Sequence, residues 1–155
     1  DAHRSLTFTW LANRPNIGLF GVHLMQKALD ASIAHARHRT QFGSPIAKFQ
    51  LVQAMLAEMS ASLDASRLLC YRALALLDRG VWCHRESSVA KMFATEAAVR
   101  VTNLAVQIHG ASGLATELPL ERWARDARML TIPDGTTQIH QLIIGRELVG
   151  HRAFA

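Results

Sequence analysis

The sequence has 155 residues, of which 50% are hydrophobic, so it is long enough for one domain with a substantial core. A mean hydropathy of +0.10 argues against a disordered chain, and abundant Ala and Leu with only 6% aromatic residues favour helices over a β-sandwich. The formal net charge is +5, but the arginines are dispersed and no basic run alternates with aromatic residues. This pattern excludes nucleic acid as the favoured ligand and indicates a phosphate-bearing small molecule instead. Cys70 and Cys83 have no metal-ligand spacing, no uncharged apolar run is long enough to span a bilayer, and no signal peptide is visible.

The first 14 residues are interpreted as a lead-in segment, either a linker or a short helix, and residues 15–155 as the domain itself. Pro15 suits the first turn of a helix, so the first long helix is predicted over Pro15–His38. Gly18 and Gly21 lower the helix propensity of this segment, but they would allow another helix to approach closely. The apolar residues predicted to face the core recur at steps of three to five residues: Ile17, Phe20, Leu24, Ala28 and Ile33.

Hydrophobic periodicity predicts further helices after a loop over Arg39–Pro45, which contains the helix breakers Gly43 and Pro45. These helices cover Phe49–Arg79, Glu86–His109, a short charged segment opened by Pro119, and Thr136–Gly150. The sequence shows no convincing set of strands and no internal repeat. The predicted fold is therefore all-α, an up-and-down helical bundle of about four helices.

The turn Pro133-Asp134-Gly135 brings one carboxylate to the start of the last predicted helix. Proline fixes its own φ, aspartate can bond nearby backbone N–H groups, and glycine tolerates left-handed geometry. Two interpretations are open at this point. Asp134 either caps the helix by accepting from its free N–H groups or acts as a catalytic base.

Four histidines are candidates for metal ligands or structural groups. His35 and His38 lie three residues apart on the first helix, but two histidines without a further ligand make a poor metal site, so no metal is predicted. His109 and His140 lie beside polar loops and are interpreted as hydrogen-bonded structural histidines.

Three loops carry polar or charged side chains next to glycine, over residues 39–43, 107–113 and 134–138, although spacing alone does not show that they meet. The first, Arg39-Thr40-Gln41-Phe42-Gly43, is similar to the motif Arg-x-x-Phe-Gly. The second, Gln107-Ile108-His109-Gly110-Ala111-Ser112-Gly113-Leu114, is similar to Gln-x-x-Gly-Gly-x-Gly-aromatic. Glu121-Arg122-Trp123-Ala124-Arg125-Asp126-Ala127-Arg128 is similar to an Arg-Asp-Ala segment, and Asp134-Gly135-Thr136-Thr137-Gln138-Ile139 to Glu-Gly-Thr-x-x-Ile. With these motifs in register, the chain from about Arg14 onward resembles the C-terminal helical domain of the acyl-CoA dehydrogenase family.

The resemblance implies a chemistry in which Asp134 removes the α-proton of an acyl-CoA thioester while the β-hydride passes to FAD. It places Gly135 and Arg14 beside the substrate. It implies that the following residues contact FAD, those of the first two loops reaching the FAD of a neighbouring subunit: Arg39, Gln41, Phe42, Gln107, Gly110, Ala111, Thr136 and Gln138. It further implies a homodimer or tetramer, an electron-transfer flavoprotein as a candidate partner, and a location in the bacterial cytoplasm or the mitochondrial matrix.

The chain departs from the family pattern in three respects. Asp134 stands where the usual base is Glu, and Ala111 replaces the second glycine of the Gly-Gly pair. The amino-terminal helical domain and the middle β-domain of the family are not in this sequence, which begins at Asp1, so the chain is expected to be part of a larger enzyme and inactive alone. The alternatives are a flavoenzyme similar to nitroalkane oxidase, which also uses Asp, a non-catalytic flavin-contacting subunit, and a helical interaction domain without flavin.

Overall fold

The computed structural model describes the backbone of residues 2–151 and the side chains of residues 6–151. This part of the chain forms five α-helices: α1 (Ala2–His38), α2 (Gln50–Asp78), α3 (His84–His109), α4 (Leu120–Leu130) and α5 (Thr137–Val149). Two strands of two residues each, β1 (Thr40–Gln41) and β2 (Ser44–Pro45), pair antiparallel between α1 and α2. The three long helices pack on one another, α4 packs on α3 and α1, and α5 packs on α3. The prediction of an all-α bundle is confirmed.

Helix α1 begins at Ala2 and continues through Pro15, so the predicted start of this helix at Pro15 is wrong. A proline inside a helix has no N–H to donate to the carbonyl four residues earlier, which here belongs to Leu11. The hydroxyl of Ser87 on α3 donates to that carbonyl at 2.7 Å, so a side chain from another element replaces the missing helical bond. The division into a lead-in segment over residues 1–14 and a domain over 15–155 stays a prediction.

The buried face of α1 differs from the predicted one. Ala28 is buried as predicted, but Phe20 is 63% exposed, and the core side chains come from Val22, Met25 and Leu29. The prediction includes the large ring of Phe20, which lies outside the buried face of α1. On that face a large side chain is excluded at Gly18 and Gly21, because α2 and α3 approach closely there.

The predicted close approach at Gly18 and Gly21 is confirmed. A Cβ atom built on Gly18 would lie 2.6 Å from Cys70 Sγ on α2 and 3.3 Å from Ala94 Cβ on α3. A Cβ atom on Gly21 would lie 3.1 Å from the Ala94 carbonyl oxygen. The three long helices therefore meet at these two glycines, with the alanines of α3 facing them.

The remaining helix ends agree with the predicted ones to within a few residues. Helix α3 ends at His109, and its capping residue Gly110, which has φ +60°, begins a 3-10 turn over Gly110–Gly113. Helix α5 ends at Gly150 in the left-handed conformation, where its N–H bonds the Arg146 carbonyl. Both ends use glycine because a residue with a Cβ would be strained there.

Cys70 and Cys83 are both buried and free. None of the helices in residues 2–151 combines the length and the apolarity that are needed to cross a bilayer.

Candidate functional site

The turn that carries Asp134 joins α4 to α5 and contains two consecutive left-handed residues. Asp134 has φ +53° and Gly135 has φ +103°. A left-handed conformation costs a non-glycine residue about 1 kcal/mol or more, and such strain is concentrated at functional sites. The turn thus holds Asp134 in a left-handed conformation, which aspartate tolerates better than most residues with a Cβ.

Helix α5 is capped by Thr136 and not by Asp134. The side-chain oxygen of Thr136 accepts from the backbone N–H of Ile139 at 3.4 Å, and Thr136 has the extended conformation that a capping residue needs. The interpretation of Asp134 as the helix cap is therefore wrong. Within residues 6–151, no side-chain hydrogen bond occupies the Asp134 carboxylate, so it is free to meet a ligand.

A buried lysine on α3 holds the residue that follows Asp134. Lys91 is 0% exposed, and its ammonium Nζ donates to the Gly135 carbonyl oxygen at 2.6 Å. Burial lowers the pKa of Lys91 to about 8, although the carboxylates of Asp134 and Glu96 raise it in part, and Arg14 lowers it further. The ammonium form therefore predominates near neutral pH, where it acts as a donor to the turn.

Arg14 on α1 is a second cation beside the same turn. Its Nη1 is 3.4 Å from the Ser88 hydroxyl on α3, and its Nε is buried without a hydrogen-bond partner among the described residues. Burial lowers the pKa of Arg14, while the carboxylate of Asp134 raises it and Arg146 lowers it. The structure therefore brings Arg14, one of the predicted substrate residues, into the electrostatic neighbourhood of Asp134.

His140 lies directly under Gly135. Its ring is 0% exposed, and a Cβ atom on Gly135 would lie 3.2 Å from two ring atoms of His140. Neither ring nitrogen makes a hydrogen bond of good geometry within the described residues, although the Gly135 backbone is near enough to raise the pKa slightly. The ring is buried, but the hydrogen bond predicted for it has no partner of good geometry there. By contrast, the prediction for His109 is confirmed, since its Nδ1 bonds the Ala105 carbonyl at 2.8 Å.

The buried ring of His140 makes the stability of the fold depend on pH. Burial first, and then Lys91 and Arg14, lower its pKa from 6.5 to about 4. The folded chain therefore binds fewer protons than the unfolded chain between these two values, and stability falls as the pH is lowered through them. We expect the free energy of unfolding to drop by about 2 kcal/mol between pH 8 and pH 5 from this group. Urea unfolding should show a smaller drop in His140→Leu but an unchanged drop in His23→Leu, which alters an exposed histidine. Equal drops in all three proteins would contradict this assignment.

A second cluster lies at the other end of α3. The loop after α1 and the 3-10 turn after α3 enclose a cavity of about 290 Å³. Its lining includes five of the predicted cofactor residues: Arg39, Gln41, Gln107, Gly110 and Ala111. The structure therefore brings the first two polar loops together, which spacing alone did not show.

Two histidines complete this cavity. The rings of His35 and His109 stack with centroids 4.2 Å apart, and both line the cavity beside Arg39. The pKa of His35 is lowered by burial, then by His109 and Arg39, which favours the neutral ring. Sequence reasoning treated these residues separately, because their contact joins two helices.

The tip of the β1–β2 hairpin follows Gln41, which lines the cavity. Phe42 has φ +51° and is 95% exposed, although its ring meets Phe49 edge-on at 6.2 Å. Ala111 does not adopt a positive φ, so alanine in place of glycine introduces no strain at that position.

The third polar loop does not join this cavity. Gln107 follows Lys91 by 16 residues on α3, which separates the two ends by about 24 Å along the axis. Thr137, at the start of α5, donates to the Glu96 carboxylate at 2.5 Å and so ties the base turn to the first half of α3. Thr136 is half-buried, and Gln138 is exposed beside it. The predicted site residues thus form two clusters, one at each end of α3.

Metal binding has no support in the described part of the chain. No group of three or more His, Cys, Asp or Glu side chains in it could hold a metal ion. His38 instead bonds the Ala34 carbonyl at 2.8 Å.

The comparison with protein families identifies the domain. The family model described as "Acyl-CoA dehydrogenase, C-terminal domain" matches residues 7–149. The chain belongs to this family. Its sequence is 40% identical to the probable acyl-CoA dehydrogenase YngJ of Bacillus subtilis over 146 residues, which cover 94% of this chain and 38% of that protein.

Solved structures of the family agree with the fold. The structure of a glutaryl-coenzyme A dehydrogenase in complex with glutaryl-CoA superposes with a TM-score of 0.91 at 37% identity, over 96% of this chain and 38% of that one. A structure described as the electron transferring flavoprotein of Acidaminococcus fermentans superposes with a TM-score of 0.90 at 34% identity, over 92% of this chain and 38% of that one. This acyl-CoA dehydrogenase domain therefore spans well under half the length of the relatives that it matches.

Proposed function

We propose that this chain is the C-terminal domain of an FAD-dependent acyl-CoA dehydrogenase and that Asp134 removes the α-proton of an acyl-CoA thioester. The observation that carries the proposal is the setting of Asp134. Its carboxylate is on a left-handed residue, has no hydrogen-bond partner among the described side chains, and lies close enough to Lys91 and Arg14 to alter their pKa values. A carboxylate without a partner of its own is available to accept a proton.

The residues present fit a cofactor that carries phosphates. The cavity at the C-terminal end of α3 combines the Arg39 guanidinium with two glutamines and a glycine-containing turn, a donor set suited to a diphosphate. Arg14 Nε and both ring nitrogens of His140 are buried without partners, whereas buried polar atoms in proteins nearly always have one. Both ends of α3 are therefore suited to a further polar group.

FAD would supply the acceptor for the β-hydride of the substrate when it is bound. We assign its contacts to two groups. Arg39, Gln41, Phe42, Gln107, Gly110 and Ala111 would hold the FAD of a neighbouring subunit, and Thr136 and Gln138 would contact FAD beside the base turn. The separation of about 24 Å between the clusters supports this division.

The roles of the remaining residues follow from their contacts. Gly135 and Arg14 would lie beside the acyl-CoA, with the Arg14 cation offering a hydrogen bond through its unpaired Nε. Asp134 would accept the α-proton, and the neutral His140 ring would fill the space under the turn and keep water out of it.

The proposal extends to the longer protein that would contain this domain and to the partners of that protein. Because the chain covers 38% of the relatives' length, the acyl-CoA substrate, the homodimer or tetramer, and an electron-transfer flavoprotein as acceptor are assigned to a longer protein. The bacterial relatives favour the bacterial cytoplasm over the mitochondrial matrix as its location. This domain alone would then be inactive.

The decisive experiment uses the FAD-loaded protein that contains this domain together with the remaining length of the family. A panel of acyl-CoA thioesters is added without an electron acceptor, and the absorbance of the oxidised flavin is followed. We expect at least one acyl-CoA to bleach it. If a nitroalkane but no acyl-CoA bleaches the flavin, the result would instead favour a flavoenzyme similar to nitroalkane oxidase, which also uses an aspartate base. Bound flavin that neither class of compound reduces would refute the dehydrogenase proposal.

Loss of the Arg39 guanidinium is expected to weaken FAD binding. A charge-assisted hydrogen bond contributes about 1.5–3 kcal/mol, so Arg39→Ala should raise the dissociation constant of FAD about 10- to 100-fold. The measurement is reconstitution of the flavin-free assembled protein, followed by flavin fluorescence. Arg79→Ala, which removes an exposed arginine at the end of α2, is the control and should bind FAD as the parent protein does. Equal affinities in both variants would remove Arg39 from the cofactor site.

A further inference from the structure

Lys91 is the most unusual side chain in the core. It is completely buried, although an ammonium in an apolar interior is costly unless it is well paired. Its position on α3 continues a buried stripe that otherwise carries small or apolar residues: Ser87, Ala94, Ala98, Val101 and Ala105. Burial favours an apolar side chain in such a stripe, so burial alone does not account for a lysine.

The ammonium donates a hydrogen bond to the carbonyl oxygen of Gly135 at 2.6 Å. This contact joins two elements that are 44 residues apart in the chain. The accepting carbonyl belongs to Gly135, the second of the two left-handed residues, which directly follows Asp134. A charged donor makes hydrogen bonds roughly twice as strong as a neutral one, so this bond strongly restrains the peptide that follows Asp134.

Few other hydrogen bonds hold the turn: the Thr136 carbonyl accepts from the His140 N–H at 3.0 Å, and the Thr137 hydroxyl just after the turn donates to Glu96. Within the described residues, no backbone hydrogen bond is donated by Asp134, Gly135 or Thr136. His140 supports the turn by contact alone, because its ring nitrogens make no hydrogen bond of good geometry there. The bond from Lys91 thus acts directly on the backbone next to Asp134, whereas the bond from Thr137 to Glu96 anchors the start of α5.

We propose that Lys91 is the positioning residue for the base: by fixing the Gly135 carbonyl it sets where the Asp134 carboxylate stands relative to the α-carbon of the substrate. This inference rests on the proposed function of Asp134. Positioning matters more for aspartate than for glutamate, because the shorter side chain has less freedom to correct an error in its backbone. A misplacement of about 1 Å can cost about 100-fold in rate.

The first test is Lys91→Met in the FAD-loaded full-length protein, which removes the donor and keeps an unbranched side chain of similar length. We expect the rate of flavin reduction by acyl-CoA to fall about 10- to 100-fold, with the affinities for FAD and acyl-CoA changed less than about twofold. The isotope effect with α-deuterated acyl-CoA should rise, because proton abstraction becomes more rate-limiting. Lys27→Met is the matched control, since Lys27 is exposed on α1, and it should leave all of these values unchanged.

The second test separates positioning from a general structural effect. Lys91→Met is repeated in an Asp134→Asn background, where a residue that acts only through Asp134 has nothing left to position. We expect no further loss of rate in the double variant. The same loss in both backgrounds, or a parent-like rate in Lys91→Met alone, would overturn the role of Lys91 while leaving the proposed function intact. A parent-like rate in Asp134→Asn alone would instead overturn the proposed function, and the role of Lys91 with it.

Lys91→Arg tests whether a charged hydrogen-bond donor is what position 91 must supply. This test remains informative if Lys91→Met does not fold. It retains a charged donor on a long side chain at the same position. A folded Arg variant should reduce its flavin within about tenfold of the parent rate, which supports the donor role. A folded Arg variant with a rate about 100-fold below the parent would overturn it.

Discussion

Asp134→Asn is expected to reduce the rate of flavin reduction by acyl-CoA about 10²- to 10⁴-fold, which is the usual contribution of a positioned general base. Asparagine has nearly the same shape, but its amide does not accept a proton at neutral pH. The left-handed turn tolerates asparagine at least as well as aspartate, so the backbone and the bond from Lys91 to Gly135 should persist. The effect should therefore appear in the chemical step and not in the binding of FAD.

The measurement is rapid-mixing absorbance of the FAD-loaded full-length protein, together with FAD and acyl-CoA affinities. Asp78→Asn, at the exposed end of α2, is the control for removing one carboxylate and should react as the parent does. If Asp134→Asn bleached its flavin at the parent rate, Asp134 would not be the base. The domain would then have to be explained as a flavin-contacting subunit.

The local sequence predicted the turn at Asp134 but not what the carboxylate does. Pro133-Asp134-Gly135 has strong turn propensity, and both of the residues that follow Pro133 are left-handed as such a turn allows. Capping requires extended backbone at the capping residue, and in the structure this conformation belongs to Thr136. Propensity could not decide between the two residues, because each of them is a common cap.

Helix α1 shows why helix boundaries were harder to predict than helix positions. The rule that proline begins a helix uses local sequence alone. Pro15 is tolerated inside α1 because the hydroxyl of Ser87, on another helix, donates to the Leu11 carbonyl that proline leaves without a donor. The prediction that Phe20 faces the core is wrong for a related reason. Periodicity assigned this large side chain to the core, whereas the face of α1 that packs on α3 carries Gly18 and Gly21 at its closest contact.

Lys91 could have been found from the sequence, although the contact it makes could not. Its spacing from Ser87, Ala94 and Ala98 places it on the buried face of a helix, and a lysine there is a signal that needs an explanation. The partner, a backbone carbonyl 44 residues later, follows only from the packing of α5 against α3. The same limit applies to the cavity at Arg39, whose two loops come together only in the folded chain.

The largest expected loss of stability comes from the closest helix contact. A Cβ atom on Gly18 would be 2.6 Å from Cys70 Sγ, which is closer than real Cβ contacts, and 3.4 Å from the Ala90 carbonyl oxygen. Cys70 and Ala90 are both 0% exposed, so neither has free space into which to retreat. Relief would require α1 to move away from both α2 and α3.

Gly18→Val should therefore lower the free energy of unfolding by about 3 kcal/mol or more, at the upper end of the cost of overpacking a core. The measurement is urea unfolding of this chain followed by circular dichroism. Gly145→Val is the matched control: it also lies inside a helix, but a Cβ there meets nothing within 4 Å, so its change should stay within about 0.5 kcal/mol. Because valine has a higher helix propensity than glycine, propensity alone would stabilise both variants. A loss confined to Gly18→Val would therefore measure the close approach itself, whereas equal changes in the two variants would mean that α1, α2 and α3 do not meet at Gly18 in solution.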